Sequence, residues 1–174
     1  MAHLIDDLLI LSRVTRAALR RAHVDLTDLA RRILLDLREA APEREVEARV
    51  ADELVVNADP GLVRVALENL LENAWKFTSR RPTATIVVGS EARGGETVFF
   101  VHDNGAGFDM ADAEKIFTPF HRLHSDPQFQ GNGIGLATVA RAVHRHGGRV
   151  WAESRPDQGA TFFFTVAAAS LTGS

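Results

Sequence analysis

The chain of 174 residues contains no cysteine, which excludes disulfides and thiolate metal sites and fits a reducing compartment. No apolar run approaches the ~20 residues that span a bilayer, and Asp6 and Asp7 stand where a signal peptide carries no acid. A soluble, cytoplasmic piece without membrane contact is expected. Twenty Lys and Arg against 23 Asp and Glu give a net charge of -3, and the arginines are scattered, so nothing points to nucleic acid. Lysine itself is scarce: only Lys76 and Lys115 occur. What is present in quantity is apolar surface, since 45% hydrophobic residues suffice for the core of one domain plus an appendage.

The chain is organised around Asp59 to Thr78, DPGLVRVALENLLENAWKFT. Asp59 can cap free N–H groups and Pro60 fits the first helical position. Val63, Ala66, Leu67, Leu70, Ala74 and Phe77 then form one apolar face at 100° per residue. Beside it Asn69, Asn73 and Lys76 follow at i, i+4 and i+7 along one edge. Asparagine gains nothing from helix propensity, so the stripe is either a solvated edge or a place where something polar is held. Carboxamide oxygens suit magnesium, and the compact charge of a lysine suits phosphate.

Before this stretch, residues 1 to 22 read as a helix with Leu4, Leu8 and Leu11 inward. A second helix runs from about Asp25 to Pro42, the two making a helical hairpin. Short strands are expected at Val46 to Val50 and Leu54 to Asn57. After it, Thr83 to Ala92 and Glu96 to His102 read as a hairpin turning at Gly94 and Gly95. A short helix around Met110 to Phe117, a polar loop, a helix ending at Gly147 and a last hairpin, Val150 to Ser154 with Thr161 to Val166, complete the order. An α+β fold is predicted: a two-layer sandwich with a mixed sheet covered on one face by helices. The expected divisions are a hairpin at 1–43, a main domain at 44–168 and a frayed tail at 169–174.

Two glycine motifs follow. DNGAGF puts Asp103 at the end of an apolar strand with Gly105 and Gly107 beyond it. That is a tight turn, or a carboxylate able to accept from a ring amine beside backbone that a flat ligand can approach. GNGIGLA opens a helix with Gly131, Gly133 and Gly135, which is a hinge or an anion site of free N–H groups. Neither the G-x-G-x-x-G dinucleotide spacing nor a Walker loop is present.

Combined, these signals supply a metal ligand, a base-edge acceptor and a phosphate cradle. The sequence here resembles the histidine kinases of two-component signalling, within the GHKL or Bergerat ATPases. NLLENAWKFT is similar to the N box, DNGAGF to G1, IFTPF (Ile116 to Phe120) to the F box, GNGIGLA to G2 and GATFFF (Gly159 to Phe164) to the last glycine and threonine box. FHRLHS and HGGRVWAES are similar to the phytochrome-type and PAS-linked sensors.

The resemblance implies a Bergerat fold that binds ATP and magnesium. Asn73 would hold the ion, assisted by Asn69, with Lys76 and the lid cation Arg122 near the phosphates. Asp103 would take the adenine amine, with Phe77, Gly105 and Gly107 around the base and Thr161 supporting the pocket. Gly131, Gly133, Ile134, Gly135 and Leu136 would serve the phosphates and hinge a lid from about Asp109 to Asn132, anchored by Phe117 and Phe120. Asn132 stands where many relatives carry threonine.

The hairpin would be the tail of a dimerisation and phosphoacceptor domain. No histidine here is followed by an acid and then a proline, so the acceptor is expected on a missing helix or a sister protomer, the chain being a fragment. Implied partners are that histidine, a response regulator receiver domain, and a second copy in a homodimer. The competing expectations are a nucleotide-binding signalling module without kinase activity, and another GHKL ATPase or serine kinase.

Overall fold

The computed structural model describes residues 2–16, 18–121 and 133–168. In order these form α1 (Ala2–Arg16), β1 (Ala22–Asp25), α2 (Leu26–Ala40), β2 (Val46–Val50), β3 (Val55–Ala58), α3 (Pro60–Phe77), β4 (Ala84–Arg93) and β5 (Glu96–Asp103). Two single 3-10 turns, Met110–Asp112 and Lys115–Phe117, precede α4 (Gly135–Arg145), β6 (Val150–Ser154) and β7 (Ala160–Phe164).

The central helix starts as its sequence dictates. Asp59 Oδ1 accepts from the N–H groups of Gly61 at 3.0 Å and Leu62 at 3.1 Å, and Pro60 follows at the first helical position. Its end is pinned from outside. The buried Thr78 hydroxyl donates to Ala74 O at 2.7 Å and accepts from Arg44 Nη2 at 3.0 Å, while the Arg44 guanidinium lies 5.0 Å from the centre of the Trp75 ring.

A five-stranded sheet in the order β2-β4-β5-β7-β6 lies under the helices, and only its β2–β4 pair is parallel. Alternation decides which side chains meet the helices. Ile86, Val88, Val101, Ala152, Phe162 and Phe164 are buried on the helix side. On the other side Phe100, Phe163 and Trp151 stack across three strands, with the guanidinium of Arg93 over Phe163 and that of Arg149 over Trp151. The helices cover one face, as expected.

The expected helical hairpin is not formed. The first helix stops at Arg16 rather than residue 22, and Ala22–Asp25 instead forms β1, which pairs antiparallel with β3. Asp25 then caps α2, which buries Leu26, Ala30, Ile33 and Leu34 within the main core. It is tied there by Leu26 N–H to Leu54 O at 2.8 Å and by the Thr27 hydroxyl to Ala51 O at 2.7 Å. So α2, expected to be the second arm of the hairpin, lies in the helical layer of the sandwich. The physical reason is that AHVD buries one apolar residue, Val24, too few to show a strand period. What α1 does contact is α4: Val14 is buried, and Arg145 Nη1 donates to Val14 O and Thr15 O, closing the last carbonyls of α1. No helix among the described residues is long and apolar enough to cross a membrane.

Adjacent leucines on α2 test this packing. Leu34 is 4% exposed and Leu35 55%. Leu34→Ala is expected to cost about 2–5 kcal/mol in urea unfolding and Leu35→Ala less than about 1 kcal/mol; equal costs would contradict the placing of α2 in the core.

Candidate functional site

Among the described residues, one glycine of each motif, Gly105 and Gly135, lies against α3. Midway along α3, a Cβ on Gly135 would lie 2.8 Å from Asn69 Oδ1, so the start of α4 presses on that amide. At its C-terminal end Ala106 N–H donates to Phe77 O at 3.0 Å, and a Cβ on Gly105 would overlap that carbonyl. Eight residues separate Asn69 from Phe77, roughly 12 Å at 1.5 Å per residue. The distance suits an extended ligand reaching from a ring to a polyanion.

The side chains of the amide stripe differ in how they are occupied. Asn69 Nδ2 donates to Val65 O at 2.8 Å, which turns its oxygen toward α4. Asn73 is half-buried and makes no hydrogen bond among the described residues, a carboxamide held beside the core with its oxygen uncommitted. Lys76 Nζ lies 4.8 Å from the centre of the Phe77 ring.

Asp103 ends β5 at 2% exposure, and its Oδ1 accepts from Gly105 N–H at 2.8 Å. Burial pushes its pKa up to about 6, against the opposing pull of the Gly105 and Ala160 N–H groups and the Arg81 charge. A buried carboxylate has about four lone-pair sites and so retains capacity for one further donor.

Main chain ties the loops beside Asp103 together. Gly159 N–H donates to Gly105 O at 3.0 Å and Asp157 N–H to Ala106 O at 2.6 Å. Side chains at Gly105, Gly107 or Gly159 would overlap neighbouring carbonyls. At the other end, α4 starts at Gly135 with no side-chain cap, which leaves its first N–H groups available to an anion.

Thr161 does not join this site. The register pairs Asp103 with Ala160 and His102 with Thr161, so alternation turns Thr161 to the opposite face. There its hydroxyl bonds His102 Nδ1 at 2.8 Å, beside a cavity of about 380 Å³ lined also by Met110, Glu153 and Arg155. Ala160 is the residue beside Asp103. Ile134 and Leu136 bury their side chains in the core and can serve a ligand only through main chain. Phe117 packs edge-on against Phe162 at 6.3 Å, whereas Phe120, expected to anchor a lid, is 62% exposed. Arg122, Gly131 and Asn132 lie outside the described residues; Gly133 is described, and Phe120 N–H donates to its carbonyl at 3.0 Å.

Three supporting residues were missed in the sequence. Arg81 bonds the carbonyls of Asn104, Gly105 and Asp157. Ser154 Oγ accepts from Phe108 N–H and donates to Gly159 O. Arg44 pins the end of α3. None carries a periodic or spaced signal, since each acts on carbonyl or amide groups brought close only by the fold.

A mixed sheet under helices, with an amide stripe, a buried acid and an open helix start, defines the GHKL class of sandwich. The chain belongs to the family "Histidine kinase-, DNA gyrase B-, and HSP90-like ATPase", whose model matches residues 58–170. It is 38% identical over 167 residues to the methanogenesis regulatory histidine kinase FilI of Methanothrix harundinacea (strain 6Ac), covering 95% of this chain and 19% of FilI. It is 34% identical over 166 residues to cyanobacterial phytochrome A of Nostoc sp. (strain PCC 7120 / SAG 25.82 / UTEX 2576), covering 95% of this chain and 22% of that protein. The chain thus spans about a fifth of these relatives. Among solved structures it is similar to full-length ShkA in complex with AMPPNP, with a TM-score of 0.75 and 32% identity over 96% of this chain and 36% of that one. The catalytic domain of histidine kinase ThkA matches with a TM-score of 0.70 and 26% identity over 84% of this chain and 95% of that one.

The raised pKa of Asp103 gives a pH prediction. Its folded value, about 6, lies above the ordinary 3.8, so acidification through about 6 protonates it in the fold and removes an acceptor. ATP affinity is expected to fall as pH drops through that value, and the fall should be absent in Asp103→Asn, which binds weakly at every pH. Parallel pH profiles for both proteins in calorimetric titration would contradict this.

Proposed function

We propose that this chain binds Mg-ATP and presents its γ-phosphoryl group to a histidine outside the chain, as the catalytic and ATP-binding part of a sensor histidine kinase. The observation that supports the proposal is that Gly135, at the start of α4, meets Asn69 on α3 while Gly105, two residues past Asp103, meets the Phe77 carbonyl at the end of the same helix. The adenine amine would donate to the Asp103 carboxylate, the ring lying beside Phe77 against the bare main chain of Gly105 and Gly107. The N–H groups at Gly135 would receive phosphate oxygens, with Lys76 adding charge.

The uncommitted amide of Asn73, with Asn69 one turn earlier, fits a hard divalent ion. Magnesium, when bound, neutralises phosphate charge; the chain's own work is to hold the nucleotide and fix its direction. No covalent intermediate on this chain is required. Phosphate passes onward to a receiver-domain aspartate in this proposal, which agrees with the kinase names of the relatives. The exposed Leu4, Ile5, Leu8 and Leu9 of α1 support pairing of the longer protein with a second copy.

Two outcomes test this. Asn73→Ala is expected to lose magnesium-dependent ATP binding while its circular dichroism and unfolding midpoint stay those of the parent; unchanged affinity would count against the site. Given labelled ATP, the chain alone should acquire no acid-labile phosphate, yet should label an added helical fragment carrying the acceptor histidine. Acid-stable label on this chain would instead indicate a serine kinase, and binding without any transfer a signalling module.

A further inference from the structure

Arg81 sits in the turn between α3 and β4, outside every motif of the sequence. Its Nε donates to Asn104 O at 2.7 Å, and its Nη2 donates to Gly105 O at 2.9 Å and to Asp157 O at 2.7 Å. Those carbonyls belong to two loops that are distant in sequence, the one after β5 and the one between β6 and β7. A planar fork can bridge them; a lysine ammonium, a point charge on a flexible stem, cannot hold the same three directions at once.

The bond to Asn104 O has a further effect, because that carbonyl shares a rigid peptide plane with the Gly105 N–H. This same N–H donates to Asp103 Oδ1. A guanidinium on one side of the peptide thus fixes, and polarises, the donor that orients the buried carboxylate on the other. The direction of the carboxylate is thereby set. The positive charge also favours the ionised carboxylate, the form that accepts from an amine.

We propose that Arg81 is a positioning residue for purine recognition: through the Asn104–Gly105 peptide it sets the direction of Asp103, and so the preference for a base that presents an amine. The proposal rests on the nucleotide-binding function above. It concerns the ring end of the site only, since none of its three bonds reaches α4.

Calorimetric titration of the whole chain with Mg-ATP and Mg-GTP separates this from a general structural role. The parent should prefer ATP. Arg81→Ala should weaken ATP by about tenfold or more, the scale of one lost charge-assisted hydrogen bond, and leave GTP nearly unchanged, so that the preference collapses. Arg81→Lys, which keeps charge without the fork, should fall between. Equal losses for both nucleotides, or ATP affinity in Arg81→Ala within about twofold of the parent, would overturn the proposal. Should Arg81→Ala not fold, the ATP-to-GTP ratio of Arg81→Lys decides in the same way. Absence of ATP binding by the parent would be a failure of the nucleotide-binding function itself, visible before any variant is compared.

Discussion

The arrangement depends on three stretches of main chain meeting without side chains between them: the end of α3 at Phe77, the loop after Asp103, and the turn before β7. Gly105 lies on the Phe77 carbonyl and Gly159 on the Asp103 carbonyl. Hydrogen bonds from Ala106, Asp157 and Gly159 lock the three together. This contact places a buried carboxylate at the C-terminal end of a helix whose middle carries the asparagines. Without it Asp103 and Asn73 would belong to separate layers. With it the loop that follows Asp103 is held against the end of α3.

The opposite end of α4 is held as firmly. His146 is 2% exposed. Its Nε2 accepts from Asp59 N–H at 2.9 Å, so its Nδ1 carries the hydrogen given to Ala142 O at 2.7 Å. Burial keeps its pKa below the ordinary histidine value, and the neutral ring can accept where an imidazolium could not. Arg21 donates to Asn57 O, Ala167 O and His146 O, and Arg20 N–H to Asp59 Oδ2. The segment after α1, the cap of α3 and the end of α4 are therefore one joint. The helix that opens beside Asn69 closes on the segment that leads in from α1.

Much of this was legible in the sequence because it is local. The Asp59 cap, the apolar face of α3, the stripe of Asn69, Asn73 and Lys76, and the glycines on either side follow from spacing along a few residues. What spacing could not supply was register. Thr161 and Ala160 are neighbours, and one residue decides which faces Asp103; only the pairing of β5 with β7 settles that. The hairpin expectation failed for a related reason. Two amphipathic helices close in sequence suggest mutual packing, but a strand too short to show its period separates them. Arg81, Ser154 and Arg44 bind main-chain groups that the fold brings together, so no pattern of residue types announced them.

The central claim is that the amide stripe, the buried acid and the glycine-rich helix start hold one ligand together. Amide signals of Gly105 and Gly135 and the side-chain amide of Asn73, followed by NMR during one titration with Mg-AMPPNP, test it directly. All three should move with a single shared midpoint. Different midpoints, or movement at one end of α3 alone, would contradict the account.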